Sequence, residues 1–287
     1  MSAPRLVGGA PPDSAFVDLH AHSTASDGSR VPGDVVREAK RIGLMAIALT
    51  DHDTLDGLAE ATATGEELGV RVVPGVELSA VEADAETHIL GLHLSDPPRL
   101  ETCLLGLREM RRNRAERIVR RLNELGVRID FGSVLEQAAG GAIGRPHVAR
   151  AMVAEGWAVD FRDAFERYLG NGRPAYVSKE RLAAAEAIEL IHQAGGLAIL
   201  AHPAHAGTRE RVEAFVREGI DGIEVRHPSH SADDIARLAA LVEHFSLVPS
   251  GGSDWHGAAE GSRTLGMMRV PAEWLGRQDG RVRARAA

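Results

Sequence analysis

The sequence predicts an α/β fold in which a β/α barrel is interrupted by a small inserted helical subdomain. Three observations point there. Short apolar runs alternate with helix-period segments over most of the 287 residues, the pattern of successive β/α units. Histidines and carboxylates gather at the C-terminal ends of those apolar runs, where β/α barrels place their active sites. Residues 96–178 break the alternation and read as mostly helical.

Taken in order, "FVDLHAH" is the first strand, "MAIALTDHD" the second and "VRVVPGVELSA" the third, with "ETHILGLHL" a candidate fourth. After the gap come "GLAILAHP", "GIDGIEVRHP" and "FSLVPSGGSDWH". Such units are expected to pair in parallel. Between them the spacing predicts helices over 31–42, 54–68 and 182–194, with Thr54 as an N-cap and Gly69 and Gly195 as stops. Within the break, helices are predicted over 100–125, 131–139, 146–155 and 161–169. The expected division is a disordered leader (1–15), a barrel (16–95 and 179–275), a helical insert over the active site (96–178) and a flexible tail (276–287). There is no internal repeat and no low-complexity tract.

Composition narrows the function classes. With 44% hydrophobic residues the chain can bury a large core. One cysteine, Cys103, excludes a disulfide framework and any cysteine-rich zinc site. No apolar run approaches the roughly 20 residues that span a bilayer, and the opening "MSAPRLVGGAPPDS" lacks the apolar stretch of a signal peptide. A cytoplasmic protein is therefore expected. A net charge of −8 argues against a broad nucleic-acid-coating surface, and bound divalent cations would offset much of it. Thirteen histidines raise the expectation of metal chemistry.

The stretch "DLHAHSTASDG" carries the first motif. On a strand, residues two apart share a side, so His20 and His22 can converge on one point. Collecting the polar residues at strand ends gives His20, His22, Asp27, His52, Glu77, His88, His202, Asp254 and His256. Each alone has a plainer explanation. "DHD" could be a turn that starts a helix, Glu77 a paired acid, His202 a satisfied imidazole before Pro203, and "GGSDWH" a glycine turn. Six imidazoles and three carboxylates at one end of one architecture form a specific set.

With "DLHAHSTASDG", "LTDHDTLDG", "PGVELSA", "THILGLH", "AHP" and "GSDWHG", the chain resembles the PHP (polymerase and histidinol phosphatase) family over about residues 16–270, in its stand-alone metal-dependent phosphoesterase branch. The resemblance implies a distorted seven-stranded, TIM-like barrel holding three divalent ions. His20, His22, Glu77 and Asp254 would hold one ion, Glu77 would bridge to a second completed by His88 and His202, and Asp27, His52 and His256 would hold the third. All nine positions carry the expected residue types. Mixed nitrogen and oxygen ligation suits Mn²⁺ first, then Fe²⁺ or Zn²⁺. Three such ions against three carboxylates leave a cationic site that favours a phosphate monoester over a neutral amide or lactone.

The segment "REMRRNRAERIVRR" places seven arginines and two glutamates between 108 and 121 of an acidic chain. Its expected core stripe is apolar at positions 104, 115, 118, 122 and 125 but arginine at 108 and 111. An arginine on that stripe either buries an unpaired charge or meets an anion. In the resembling phosphoesterases, arginines of this helix and of a "GRPH" turn contact substrate, which implicates Arg111, Arg114 and Arg145, with Asn113 a weaker candidate. The plainer reading of the run is a solvated face. His227 could hydrogen-bond a phosphate or only pack. His205 and His230 stay open, His147 is read as a helix-start residue, and Asp51 is expected to orient a neighbouring imidazole.

The function these expectations add up to is a trinuclear-metal phosphoesterase acting on nucleotides, nucleoside 3′,5′-bisphosphates foremost. A metal-bound hydroxide would attack phosphorus, with Asp254 and Glu77 as the catalytic carboxylates. The rivals are a 5′→3′ exoribonuclease acting on the 5′ end of short RNA, a histidinol-phosphate-type phosphatase, and a structural metal-binding module without activity. No membrane and no obligate protein partner is expected.

Overall fold

The first strand, β1 (Phe16–Ala21), alternates Val17 and Leu19 with Asp18 and His20, and all four are buried. A solvent-facing strand would leave its polar side wet. Here both sides face protein, as in a barrel wall. The structure, a computed structural model, describes residues 15–82, 85–178, 182–258 and 263–286. The expected leader, apart from residue 15, lies outside them.

Seven strands follow one another across a single sheet: β1, β2 (Ala46–Leu49), β3 (Arg71–Glu82), β4 (Ala85–Leu92), β5 (Leu197–Leu200), β6 (Gly222–Arg226) and β7 (Val248–Gly251). An eighth, β8 (Val270–Pro271), pairs antiparallel on the free edge of β1. Beyond β7 the chain returns to β1, where His20 C=O accepts the Asp254 N–H and Trp255 C=O accepts the His22 N–H, each at 2.9 Å. These bonds draw the two ends of the sheet together. The fold is the mixed α/β, barrel-like class that the alternation predicts.

Two details differ from that expectation. β4 runs antiparallel to both β3 and β5, because no helix separates it from β3 and a hairpin can only reverse direction. The helix predicted from Thr54 begins four residues later, as α2 (Leu58–Leu68). Thr54 Oγ1 accepts the Asp56 N–H in a local turn instead. The first helix, α1 (Pro32–Arg41), lies where the spacing puts it, with Pro32 at its first turn.

From a 3-10 turn at Pro97–Leu100 the chain enters α3 (Glu101–Glu124), then α4 (Phe131–Ala138), α5 (Arg145–Ala154) and α6 (Phe161–Ala164), which passes into a π turn at Phe165–Leu169. α3 serves two cores. Its Leu104 and Leu107 pack in the cluster that includes Val76, Leu78 and Ile89 of the sheet. Its Ala115, Ile118 and Leu122 pack with Val134, Val148 and Met152 of the other helices. Each fully buried leucine contributes about 1.5–3 kcal/mol to either contact. Arg111 and Arg114 fall at the seam between the cores.

The remaining helices are α7 (Ala184–Gln193), α8 (Arg209–Arg217), α9 (Ala232–His244) and α10 (Ala272–Ala286). α10 corrects the expectation of a flexible tail over 276–287. Residues 276–286 continue a helix whose Gln278 is buried and donates to Pro249 C=O, and whose Arg285 pairs with Asp221 at 2.6 Å. The basic residues that suggest fraying are the ones that dock it. No described helix is long and apolar enough to cross a membrane.

Candidate metal centre

β1 delivers His20 and His22 on one side, as their spacing requires, and their Nε2 atoms lie 3.1 Å apart. Glu77 reaches them from β3, with Oε2 3.2 Å from both nitrogens. Asp254 comes from beyond β7, with Oδ1 3.5 Å from His20 Nε2 and 3.2 Å from His22 Nε2. Four ligand atoms about 2.1 Å from a common tetrahedral centre stand roughly 3.4 Å from one another. The separations found here match that spacing. The glycines of "GGSDWH" permit it: a Cβ on Gly252 would lie 2.4 Å from His20 Cβ. Asp254 itself has φ 51, a left-handed backbone that turns its carboxylate back over β1.

The other oxygen of Glu77 serves a second group. Its Oε1 is 2.7 Å from His88 Nδ1 and 3.0 Å from His202 Nε2. A third group gathers His22, Asp27, His52 and His256, with Asp27 Oδ1 3.0 Å from His256 Nε2. His52 also stands in a group with Glu77 and His88, its Nδ1 3.2 Å from Glu77 Oε2, so it lies between the second and third groups. All nine sequence-predicted ligands are therefore brought together.

The donor set fits divalent cations. Among the described residues, Asp27 Oδ1 and His52 Nδ1 are buried and close to neighbours without an aligned hydrogen bond, and His22 Nδ1 has no hydrogen-bond partner. Atoms that approach closely without aligning on one another are aimed at a shared point. Electrostatics agree. Burial opposes ionisation of Glu77, but His52, His88 and His20 outweigh it and hold the carboxyl well below its usual range. Burial likewise opposes charge on His22, yet Asp254 and Glu77 push its imidazolium up to about 10. His20 is raised well above its ordinary value despite burial, by Glu224, Glu77 and Asp254. His52 goes the other way, pushed down to about 3 by burial. Without cations, protons take the place of positive charge in the first group.

Several supporting residues were not singled out in the sequence. Glu224 of β6 lies beneath His20, with Oε1 3.0 Å from His20 Nδ1. Asp18 accepts the Ser253 and Gly266 N–H groups and so ties β1 to the returning chain. Arg263 ion-pairs with Asp254. The first two were detectable, since an acid inside an apolar strand ("FVDL", "GIEV") is costly unless partnered. Asp51 corrects an expectation: among the described residues its carboxylate hydrogen-bonds serines and not an imidazole. It accepts from Ser23 N–H, Ser23 Oγ and Ser26 Oγ at 2.6–2.7 Å, ordering the loop that carries Asp27.

The arginines divide. Arg111 ion-pairs with Asp53 and donates to Ser79 Oγ at 2.7 Å, so the anion on the core stripe is one of the chain's own carboxylates. Arg114 is buried, donates from Nε to Val177 C=O, and leaves Nη2 without a partner; burial and Arg145 push it down to about 10. Arg145 stands between the rings of Phe165 and Tyr176, with Glu86 at 3.4 Å. Asn113 is exposed. His227 is buried, 2.8 Å from Ser229 Oγ and 3.4 Å from Asp254 Oδ2. His230 is held by Val225 C=O and by the Ala204 N–H, His147 Nδ1 accepts the Gly144 N–H at the start of α5, and His205 is exposed.

Two cavities open here. One of about 240 Å³ is lined by His52, Glu77, His88, His202, Asp254 and Arg263, together with His227, Ser229 and His256. The other, of about 320 Å³, is lined by Glu86, Thr87, Arg145, Asn171 and Arg211, and shares His88 and His202 with the first.

The family model of the PHP domain matches residues 18–170. The chain is 36% identical over 260 residues to a 3′,5′-nucleoside bisphosphate phosphatase of Chromobacterium violaceum, covering 88% of this chain and 91% of that protein. It is 36% identical over 245 residues to a 5′-3′ exoribonuclease of Haemophilus influenzae, covering 83% and 89%. Among solved structures, it resembles one described as a metal-dependent phosphoesterase from Bifidobacterium adolescentis, with a TM-score of 0.87 and 30% identity over 94% of this chain and 98% of that one.

Proposed function

This chain belongs to the PHP domain family and is a metal-dependent phosphoesterase, and on that premise we propose that it removes one phosphate from nucleoside 3′,5′-bisphosphates at a three-ion site. The observation that carries the reading is the pair of adjoining cavities with His88 and His202 as their common wall. One is lined by imidazoles and carboxylates, the other by Arg145 and Arg211 with Glu86 beside them. A substrate with two phosphates a nucleoside apart would present one to each. The guanidinium of Arg145, fixed between two rings, suits a phosphate dianion.

His20, His22, Glu77 and Asp254 would hold one ion, Glu77 with His88 and His202 a second, and Asp27, His52 and His256 a third. Divalent ions there supply Lewis acidity and a water that ionises near neutral pH. The side chains do the rest. Glu77 gives one oxygen to each of two groups and fixes their separation. Burial would raise the Asp254 carboxyl, but His20, His22, His227 and His256 hold it well below its usual range, so it accepts charge rather than donating a proton. His227, whose Nε2 lies 3.4 Å from Asp254 Oδ2 in the lining of the same cavity, would deliver the proton to the departing oxygen. Arg145 holds the distant phosphate, so that binding energy there orients the reacting one.

The similarity to the Haemophilus exoribonuclease supports a second reading, in which the 5′ end of a short RNA occupies both cavities. Phosphate release with Mn²⁺ from adenosine 3′,5′-bisphosphate, AMP and a 5′-phosphorylated tetranucleotide separates the two. The bisphosphate is expected to be turned over far faster than AMP. Equal rates on AMP and the bisphosphate would sink the two-phosphate reading, and mononucleotides released from the tetranucleotide at the higher rate would favour the second.

A further inference from the structure

Glu224 is a fully buried carboxylate in the middle of an apolar strand, flanked by Ile223 and Val225, and no step above uses it. Leaving a charge there is costly unless each oxygen is satisfied. Oε1 lies 3.0 Å from His20 Nδ1, and Oε2 accepts the backbone N–H of His202 at 2.8 Å. The two partners belong to different groups of the centre. His20 Nε2 faces the cluster with His22 and Asp254, and His202 Nε2 faces Glu77 Oε1 with His88.

We infer that Glu224 is a positioning residue that sets one histidine of each of two metal groups at once. Toward His20 it fixes the tautomer. An imidazole that gives its Nε2 lone pair to a cation carries its proton on Nδ1, and Glu224 Oε1 is the acceptor waiting for it. Toward His202 it fixes the backbone. His202 has φ 31, a left-handed value that a non-glycine residue keeps only when its surroundings hold it there. The Glu224 carboxylate takes the N–H at that turn and aims the imidazole at Glu77. Both partners are donors, so the position needs two acceptors. Glutamine has the same shape but offers one acceptor and one amide that must face a donor, so it can satisfy only one histidine.

The inference rests on the proposed function only in that divalent ions occupy the centre. The test is calorimetric titration of Mn²⁺ into metal-free wild type and Glu224→Gln, with thermal unfolding of each protein with and without Mn²⁺. The variant is expected to bind Mn²⁺ about 10–100-fold more weakly. The rise in Tm that Mn²⁺ gives the wild type should shrink in the variant. A purely structural role would lower Tm with and without metal alike and leave that rise intact. Glu224→Asp keeps the charge but is one methylene too short for both partners, and it should lose affinity too; it carries the same comparison if Glu224→Gln does not fold. Wild-type affinity and an undiminished rise in Tm in the variant overturn the inference while leaving the phosphoesterase reading in place. A wild type that takes up no Mn²⁺ overturns both.

Discussion

Asp53, just past β2, and Arg111, in the middle of α3, form a largely buried ion pair that pins the helical segment to the barrel. Asp53 also accepts the Ser79 N–H, and Arg111 reaches Ser79 Oγ, so three elements meet at one contact. Loss of the guanidinium removes one of the Asp53 carboxylate's partners. Arg111→Ala should therefore cost about 1.5–3 kcal/mol of stability, the worth of a hydrogen bond to a charged group, read from denaturant unfolding of the metal-free protein. An unchanged unfolding midpoint combined with lost bisphosphate turnover would instead put Arg111 on the substrate.

In the proposed reading Arg145 carries the substrate preference. Arg145→Ala should reduce the ratio of kcat/KM for adenosine 3′,5′-bisphosphate over AMP by about 1.5–3 kcal/mol, the worth of a hydrogen bond to a charged group. Turnover of a small aryl phosphate, which has no second phosphate, should barely change. Equal harm to all three substrates would show that Arg145 supports the fold and not the distant phosphate.

The groups should fill separately. Asp27 stands in one group only, with His22, His52 and His256, so Asp27→Asn should lose about one metal equivalent of the three and keep the others. Elemental analysis after Mn²⁺ reconstitution and desalting reads this directly. Chelation of the wild type should lower its Tm, because ions that bind only the native state stabilise it by mass action. A melting curve unmoved after verified metal removal would count against the assembled centre.

Protons and metals compete for the first group. His22 is pushed up to about 10 and His20 is also raised, so the metal-free centre is protonated at neutral pH. Mn²⁺ binding must release those protons, and affinity should climb as pH rises from about 6.5 toward 10. Stability of the metal-free protein has the opposite slope there: what those protons contribute is complete below about 6.5 and fades as pH approaches 10. His52, pushed down to about 3, withdraws stability as pH falls below about 6.5. Titrations in buffers of different ionisation heat count the released protons, and a count of zero at pH 7 would contradict this account.

How far the sequence carries can be seen residue by residue. The nine residues that converge at the candidate centre were legible because strand ends in a β/α arrangement share one face, so position along the chain stands in for position in space. The tail was misread because its composition is basic and small, whereas its fate depends on Asp221, a partner distant in sequence. Arg111 was legible as an anomaly on an apolar stripe, but not its partner, since Asp53 looked like part of a turn and its left-handed backbone (φ 52) leaves no mark in composition. Glu224 carried a signal, an acid inside "GIEV", that periodicity alone does not interpret. Local pattern reveals which residues are out of place, and only tertiary contact reveals what they are paired with.

The chain's return to β1 has a consequence for how the protein comes to be made. Asp18 and Ser253 touch although they are 235 residues apart, and the main-chain bonds between His20 and Asp254 close the same seam. A growing chain can assemble the helical segment, with its own apolar cluster, while still on the ribosome. It cannot complete the first four-atom group until Asp254 has emerged. Nascent and truncated chains therefore hold His20, His22 and Glu77 without their fourth companion, and lack the contact that draws the ends of the sheet together. A message cut short before the seventh strand should yield an inert polypeptide, not a weakly active enzyme.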